Sequence, residues 1–340
     1  MWNVPSFWKT DLTIIAQWAI RAEKGQAKAL CLSAGGRPVT AFFYGDRQEI
    51  VSRANYSSAC GAHDLGCYTA VEGKKPVVLL LGAVHGGETE GTAALVNLIS
   101  LLETGSDLKG EKHEELLSLS KEVRLVIVPV CNPDGRARVK PDAMVGCTGR
   151  ELRYWMQGTW KDGTLCGWPN CKKIHPIRDH VDFLGGYFTD GGVNMSHDNF
   201  FHPMAPETQA LMDLCDDEKA DWIIHLHGGS NSLNALVQTK YVTQECQRAI
   251  RLLSEKCDET ACAYGLRFTV PSETEREHGD TPPSFNLASA LHHVCGGVSA
   301  VFESNECIID EPGEKLTYDQ IYTSHLILFE QCLKMALGKE

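Results

Sequence analysis

Five short apolar runs punctuate the chain: VTAFFYG (39–45), KPVVLLLGA (75–83), VRLVIVPV (123–130), DWIIHLH (221–227) and GVSAVFES (297–304). Each is continuous rather than alternating and is bounded by turn residues, which predicts strands covered on both faces. Amphipathic stretches predict helices over 11–24, 89–104, 206–218, 242–260, 284–294 and 317–337. Strands interleaved with helices predict an α/β fold with a mostly parallel or mixed sheet, read as one domain over 1–340. In such sheets ligands gather beyond the carboxyl ends of the strands. His85, Asn132, His227 and Glu303 all fall at predicted strand ends. Between 131 and 206 the periodicity loosens into a segment rich in Gly, Trp, Cys and Arg. Long aperiodic stretches inside a domain are usually functional, so 140–190 and 271–283 are expected to shape a pocket.

Composition narrows the partners. The 340 residues are 43% hydrophobic and 22% charged, with a net charge of −12. An acidic balance argues against nucleic acid or an anionic membrane as the main partner. No uninterrupted apolar stretch approaches the ~18 residues of a membrane span. The opening MWNVPSFWKTDL carries no basic stretch followed by an apolar run, so a cytoplasmic location is expected. The 14 cysteines sit mostly singly in strand-like or helix-like runs, as core thiols in a reducing compartment would. Cys166 and Cys171 are the exception: their loop spacing suits a clip or half a metal site, but no matching pair lies nearby.

The chemistry begins at LLLGAVHGGETEG (79–91), where a strand ends on His85 and Glu88 follows three residues later. Gly86 and Gly87 allow a tight turn that aims both side chains at one ion. Alone, the pair fits a turn histidine and a glutamate favoured by a helix N-terminus better than it fits a metal site. A catalytic zinc takes three protein ligands and leaves one position open. The third is offered by IIHLHGGS, where His225 and His227 share a strand face. His227 is last before the glycines and reaches furthest, which makes it the ligand and His225 a supporting or structural histidine. Glu303 ends an apolar strand, where a carboxylate is costly without a role or partner, and is the candidate base.

HGGETEG, then VPVCNPDG, then GGVNM with NF and PET, then a strand-end histidine and finally VFES, resembles the zinc carboxypeptidase A-type metallopeptidase family, in order from about residue 76 to 304. The resemblance implies a three-layer α/β/α sandwich around a mixed, mainly eight-stranded sheet. It implies one zinc per chain on His85, Glu88 and His227. Glu303 is then the base toward the attacking water, whose pKa zinc lowers to about 7. The family places an oxyanion-stabilising arginine in an R-x-x-R segment; GRELRYW supplies Arg153 for this role with Arg150 beside it, and Arg136 and Arg138 of NPDGRARV are rivals.

One departure is clear. Relatives usually read D-L-N-R-N-F where this chain reads GGVNMSHDNFF, so Ser196 and His197 stand at the Asn-Arg pair that clamps a substrate carboxylate. A histidine is a weaker, pH-dependent carboxylate partner than a bidentate guanidinium. Arg136 or Arg138 would then replace the clamp, or the substrate lacks that carboxylate. The family's late tyrosine is also absent from EREHGDTPPSFNL, where His278 is the obvious polar aromatic residue. The expected activity is zinc-dependent hydrolysis of a peptide or peptide-like amide bond. The alternative is an N-acyl amino acid deacylase, similar to the aspartoacylase and succinylglutamate desuccinylase branch. A silent binding module is disfavoured by Glu303, which such a module has little reason to keep.

Overall fold

A computed structural model describes residues 3–69, 74–229, 231, 234–272 and 281–339. Its strands are β1 (Gln26–Leu32), β2 (Pro38–Tyr44), β3 (Val77–Gly82), β4 (Arg124–Val128), β5 (Gly158–Trp160), β6 (Val181–Leu184), β7 (Trp222–Gly229), β8 (Asn234–Val237), β9 (Phe268–Thr269) and β10 (Val298–Asn305). Eight form one mixed sheet in the order β1-β2-β4-β3-β7-β10-β8-β9, and β5 and β6 form a separate hairpin. The four central strands, β4, β3, β7 and β10, run parallel. These include four of the five predicted runs; the fifth is β2, antiparallel to β4.

Helices cover both faces, as continuous apolar strands require. Along β3, Val78 and Leu80 join a core with helices Glu90–Thr104, Gln244–Ala261 and Tyr318–Ala336. Leu79 and Leu81 face the other way, toward helices Pro206–Glu218 and Leu287–Cys295. The result is a three-layer α/β/α sandwich.

The aperiodic segment is more ordered than its sequence suggested. Helix Gly149–Gln157 starts at a capping box, in which Thr148 and Glu151 satisfy each other's backbone amides. Two small cores lie apart from the main pair. One gathers Val139, Met144, Cys147, Met156 and Ile308; the other gathers Cys166, Cys171, Ile177 and Phe188. Cys166 and Cys171 are free, buried thiols that fill this second core, so they form neither a clip nor a ligand pair. Asn132 proves to be a capping residue, since its Oδ1 accepts from the Gly135 amide at 2.8 Å at the start of helix Pro133–Arg138. Among the described residues, no helix is long and apolar enough to cross a membrane.

Candidate metal centre and active site

At the carboxyl end of β3 the chain turns sharply. Ala83 takes a left-handed φ of 44°, whereas Gly86 and Gly87 do not. Those glycines answer a different need from the one the sequence suggested. A Cβ on Gly86 would stand 2.1 Å from the Arg136 backbone nitrogen, and one on Gly87 would stand 2.4 Å from Met156 Sδ. Close approach of neighbouring atoms, rather than a left-handed turn, demands glycine at both.

The turn delivers His85 and Glu88 to one point, and the parallel β7 brings His227 there. His85 Nδ1 lies 2.7 Å from Glu88 Oε1, and His227 Nδ1 lies 2.7 Å from Glu88 Oε2. The three ligand atoms lie within 4.8 Å of one another, and all three residues are buried. Burial alone would raise the Glu88 carboxyl, but the two imidazoles outweigh it and hold it at about 2, so it is ionised. Two imidazole nitrogens and a carboxylate are a donor set that suits catalytic zinc. Tyr187 stacks on His85 at 3.9 Å between ring centroids, and Asn194 Oδ1 sits 3.2 Å from His85 Nε2, so both the face and the edge of the ring are held.

Glu303 is placed by the sheet itself. In the β10–β7 ladder it is paired with His227, so the two stand side by side on one face. Burial pushes its carboxyl up to about 7, with Glu88 adding to the rise and His227 and Lys172 opposing it. His225 lies two residues back on β7, with Nε2 3.1 Å from Ser299 Oγ. Burial lowers its pKa to about 3, so it is a neutral structural histidine.

These groups open into a pocket of about 590 Å³ that is also lined by Arg153, Gln157, Trp168, Lys172, Tyr187, Ser196, His197 and Glu306. A larger cleft of about 1090 Å³ opens beside Tyr44 and Arg124, at the opposite end of the sheet, and holds none of these groups. Arg153 reaches the pocket from helix Gly149–Gln157 and pairs through Nη2 with Glu311 Oε1 at 3.2 Å. Arg150, on the same helix, is exposed and does not line the pocket. Arg136 and Arg138 are corrections to the sequence reading, since neither lines the pocket. The Arg136 guanidinium is buried on the carbonyls of Thr10 and Val139. Arg138 is bound to the carbonyls of Leu184, Gly185 and Phe188 and to Asp190. Both guanidinia staple loops together, with their donors turned to these partners rather than to a substrate.

His197 is in the pocket, as the sequence placed it, but uncharged: burial first, then the nearby Lys172, push its pKa down to about 3. Its Nδ1 lies 3.1 Å from Ser284 Oγ. His278 lies outside the described residues, as do 273–280 of the predicted pocket loop. The sequence reading missed Trp168, Lys172, Tyr187 and Gln157. Single loop residues carry no periodic signal, and only the unusual density of Trp and Cys marked their segment.

Around Gly228, the next residue of β7 after His227, two more carboxyls meet, one of them the pocket-lining Glu306. A Cβ on Gly228 would stand 2.6 Å from Glu306 Oε1 and 2.9 Å from Glu90 Oε2. Both Glu90 oxygens and Glu306 Oε1 are buried with no hydrogen-bond partner among the described residues. Burial raises the Glu90 carboxyl from 4.5 to about 8 and drives Glu306 well above the usual range. A carboxyl raised on folding contributes stability fully below its unfolded pKa and loses it as pH climbs through the folded value. Urea unfolding of metal-free protein is therefore expected to show Glu306→Gln gaining on the parent as pH rises above 4.5, the ordinary carboxyl value. A pH-independent difference would contradict this.

The family model for zinc carboxypeptidases matches residues 30–282, a span that includes His85, Glu88 and His227 but not Glu303. No curated protein sequence matches. Among solved structures, a metallo-carboxypeptidase from Burkholderia cenocepacia aligns over 96% of this chain and 68% of its own, at 14% identity and a TM-score of 0.59. A metallo-carboxypeptidase from Pseudomonas aeruginosa, in complex with (2-guanidinoethylmercapto)succinic acid, aligns over 95% and 67%, at 12% identity and a TM-score of 0.56. The carboxypeptidase A of Helicoverpa armigera aligns over 98% and 74%, at 13% identity and a TM-score of 0.55. At such identities these likenesses speak for the fold alone.

Proposed function

Since the chain belongs to the zinc carboxypeptidase family and is a zinc metallopeptidase-type hydrolase, we propose that it cleaves a peptide or peptide-like amide bond at the His85–Glu88–His227 centre, with Glu303 as base. The observation that carries this reading is the register that sets Glu303 beside His227 at the mouth of a pocket. His85, Glu88 and His227 would hold one zinc per chain. Bound zinc supplies a Lewis acid that polarises the scissile carbonyl and acidifies the attacking water. Glu303 takes a proton from that water and passes it to the leaving amine. Its raised pKa suits both halves of the transfer, because the carboxylate is basic enough to accept and the acid strong enough to give. Arg153 is the cation for the developing oxyanion. Its ion pair with Glu311 is partly exposed and weak enough to yield to a substrate.

A panel of short peptides and N-acyl amino acids tests this. Peptide hydrolysis is expected, abolished by a zinc chelator and restored by added zinc. Turnover of N-acyl amino acids alone would favour a deacylase, and activity indifferent to chelation would sink the metal-dependent reading.

A further inference from the structure

Lys172 stands at the pocket wall on a short 3-10 turn, Asn170–Lys172, anchored by the buried Cys171. Its Nζ sits 5.1 Å from the Trp168 ring centroid. Among the described residues its ammonium makes no hydrogen bond or ion pair. Arg153, the other cation lining the pocket among the described residues, already faces Glu311. Lys172 is exposed as a residue, while desolvation at its ammonium lowers the pKa, with Cys171 and Glu303 opposing. It is also the largest charge acting on His197. The positive charge missing at Ser196–His197 therefore has a replacement that arrives from a different loop.

Resting on the hydrolase reading above, we propose that Lys172 binds a carboxylate of the substrate and makes the pocket selective for anionic ends. An ammonium takes a carboxylate as a point charge, without the two-pronged geometry of a guanidinium. Trp168 beneath it offers an apolar wall for the neighbouring carbon chain. The carboxylate has two possible sources: the chain terminus, or an acidic side chain on the last residue.

The test uses zinc-loaded Glu303→Gln protein, so that binding is read without turnover. Calorimetry compares an N-acetyl tripeptide ending in Gln as free acid, the same peptide as C-terminal amide, and a Glu-ended free acid. One carboxylate-bearing ligand is expected to bind about tenfold tighter than its uncharged counterpart, the size of a charge-assisted contact. Adding Lys172→Gln should erase that preference, and Lys172→Arg should keep much of it. Loss of the acid–amide difference assigns the terminal carboxylate; loss of the Glu–Gln difference assigns the side chain. In the active enzyme Lys172→Gln should raise KM for the preferred ligand about tenfold with little change in kcat. An undiminished preference in Lys172→Gln, no preference in the parent, or an equal fall in kcat for charged and uncharged substrates would each overturn the proposal. A preference that persists in a protein with no amide hydrolysis would overturn the proposed function and leave this inference standing.

Discussion

Replacing Glu303 by Gln is expected to lower kcat by about 10²–10⁴-fold, the usual contribution of a positioned general base. The substitution keeps the shape and removes the proton acceptor. Zinc content should be unchanged, because His85, Glu88 and His227 converge without help from Glu303. Folding should be at least as favourable as in the parent, since the variant no longer buries a group raised to about 7. The parent's kcat/KM should fall on the acid side as Glu303 takes up its proton. The pKa of about 7 belongs to the metal-free site; two positive charges nearby favour the carboxylate, so the acid limb should lie at or below that value. Stopped-flow or steady-state rates with zinc analysis on the same samples check both points. Turnover unchanged in Glu303→Gln would remove it from the mechanism.

His227→Ala is expected to weaken zinc binding by more than about 100-fold. Losing a group that merely orients a ligand costs 10–100-fold, and this change removes a ligand itself. It also leaves Glu88 buried with one imidazole instead of two, at a cost of about 3 kcal/mol in the metal-free protein. A ligand held at a thousand times its Kd adds about 4 kcal/mol to stability, and the variant forfeits that as well. Zinc per chain after dialysis, and urea midpoints with and without chelator, measure the two losses separately. Full zinc retention would mean that the metal sits elsewhere.

The central sheet was legible because its strands are buried on both faces, and apolar residues are what can fill them. β3, β4, β7 and β10 announced themselves in this way, and the ends of three of them carry the proposed metal ligands and base. β1 was not legible: QAKALCL is largely exposed at the sheet edge, so no apolar run was required of it. β8 and β9, with four and two residues, are too short to show a period. The arginines misled for a related reason. NPDGRARV gives two guanidinia the right address near the site, but their direction is set by loop carbonyls from 126 and 46 positions away in sequence. Lys172 was hidden by the converse: an unremarkable loop lysine gains its meaning only when the fold brings Glu303 and His197 near it.

The small cores beneath the 140–190 segment have a consequence for how such a chain diverges. Cys166, Cys171, Ile177 and Phe188 pack with one another as a cluster separate from the two cores that sandwich the sheet. Mutations there are expected to shift the neighbouring Trp168 and Lys172, and to touch His85 through Tyr187, which packs against this cluster, while the backbone ladder that spaces Glu303 from His227 stays as it is. Recognition and reaction can thus drift at different speeds. A lineage could exchange the appetite of its pocket many times over without once reinventing its chemistry.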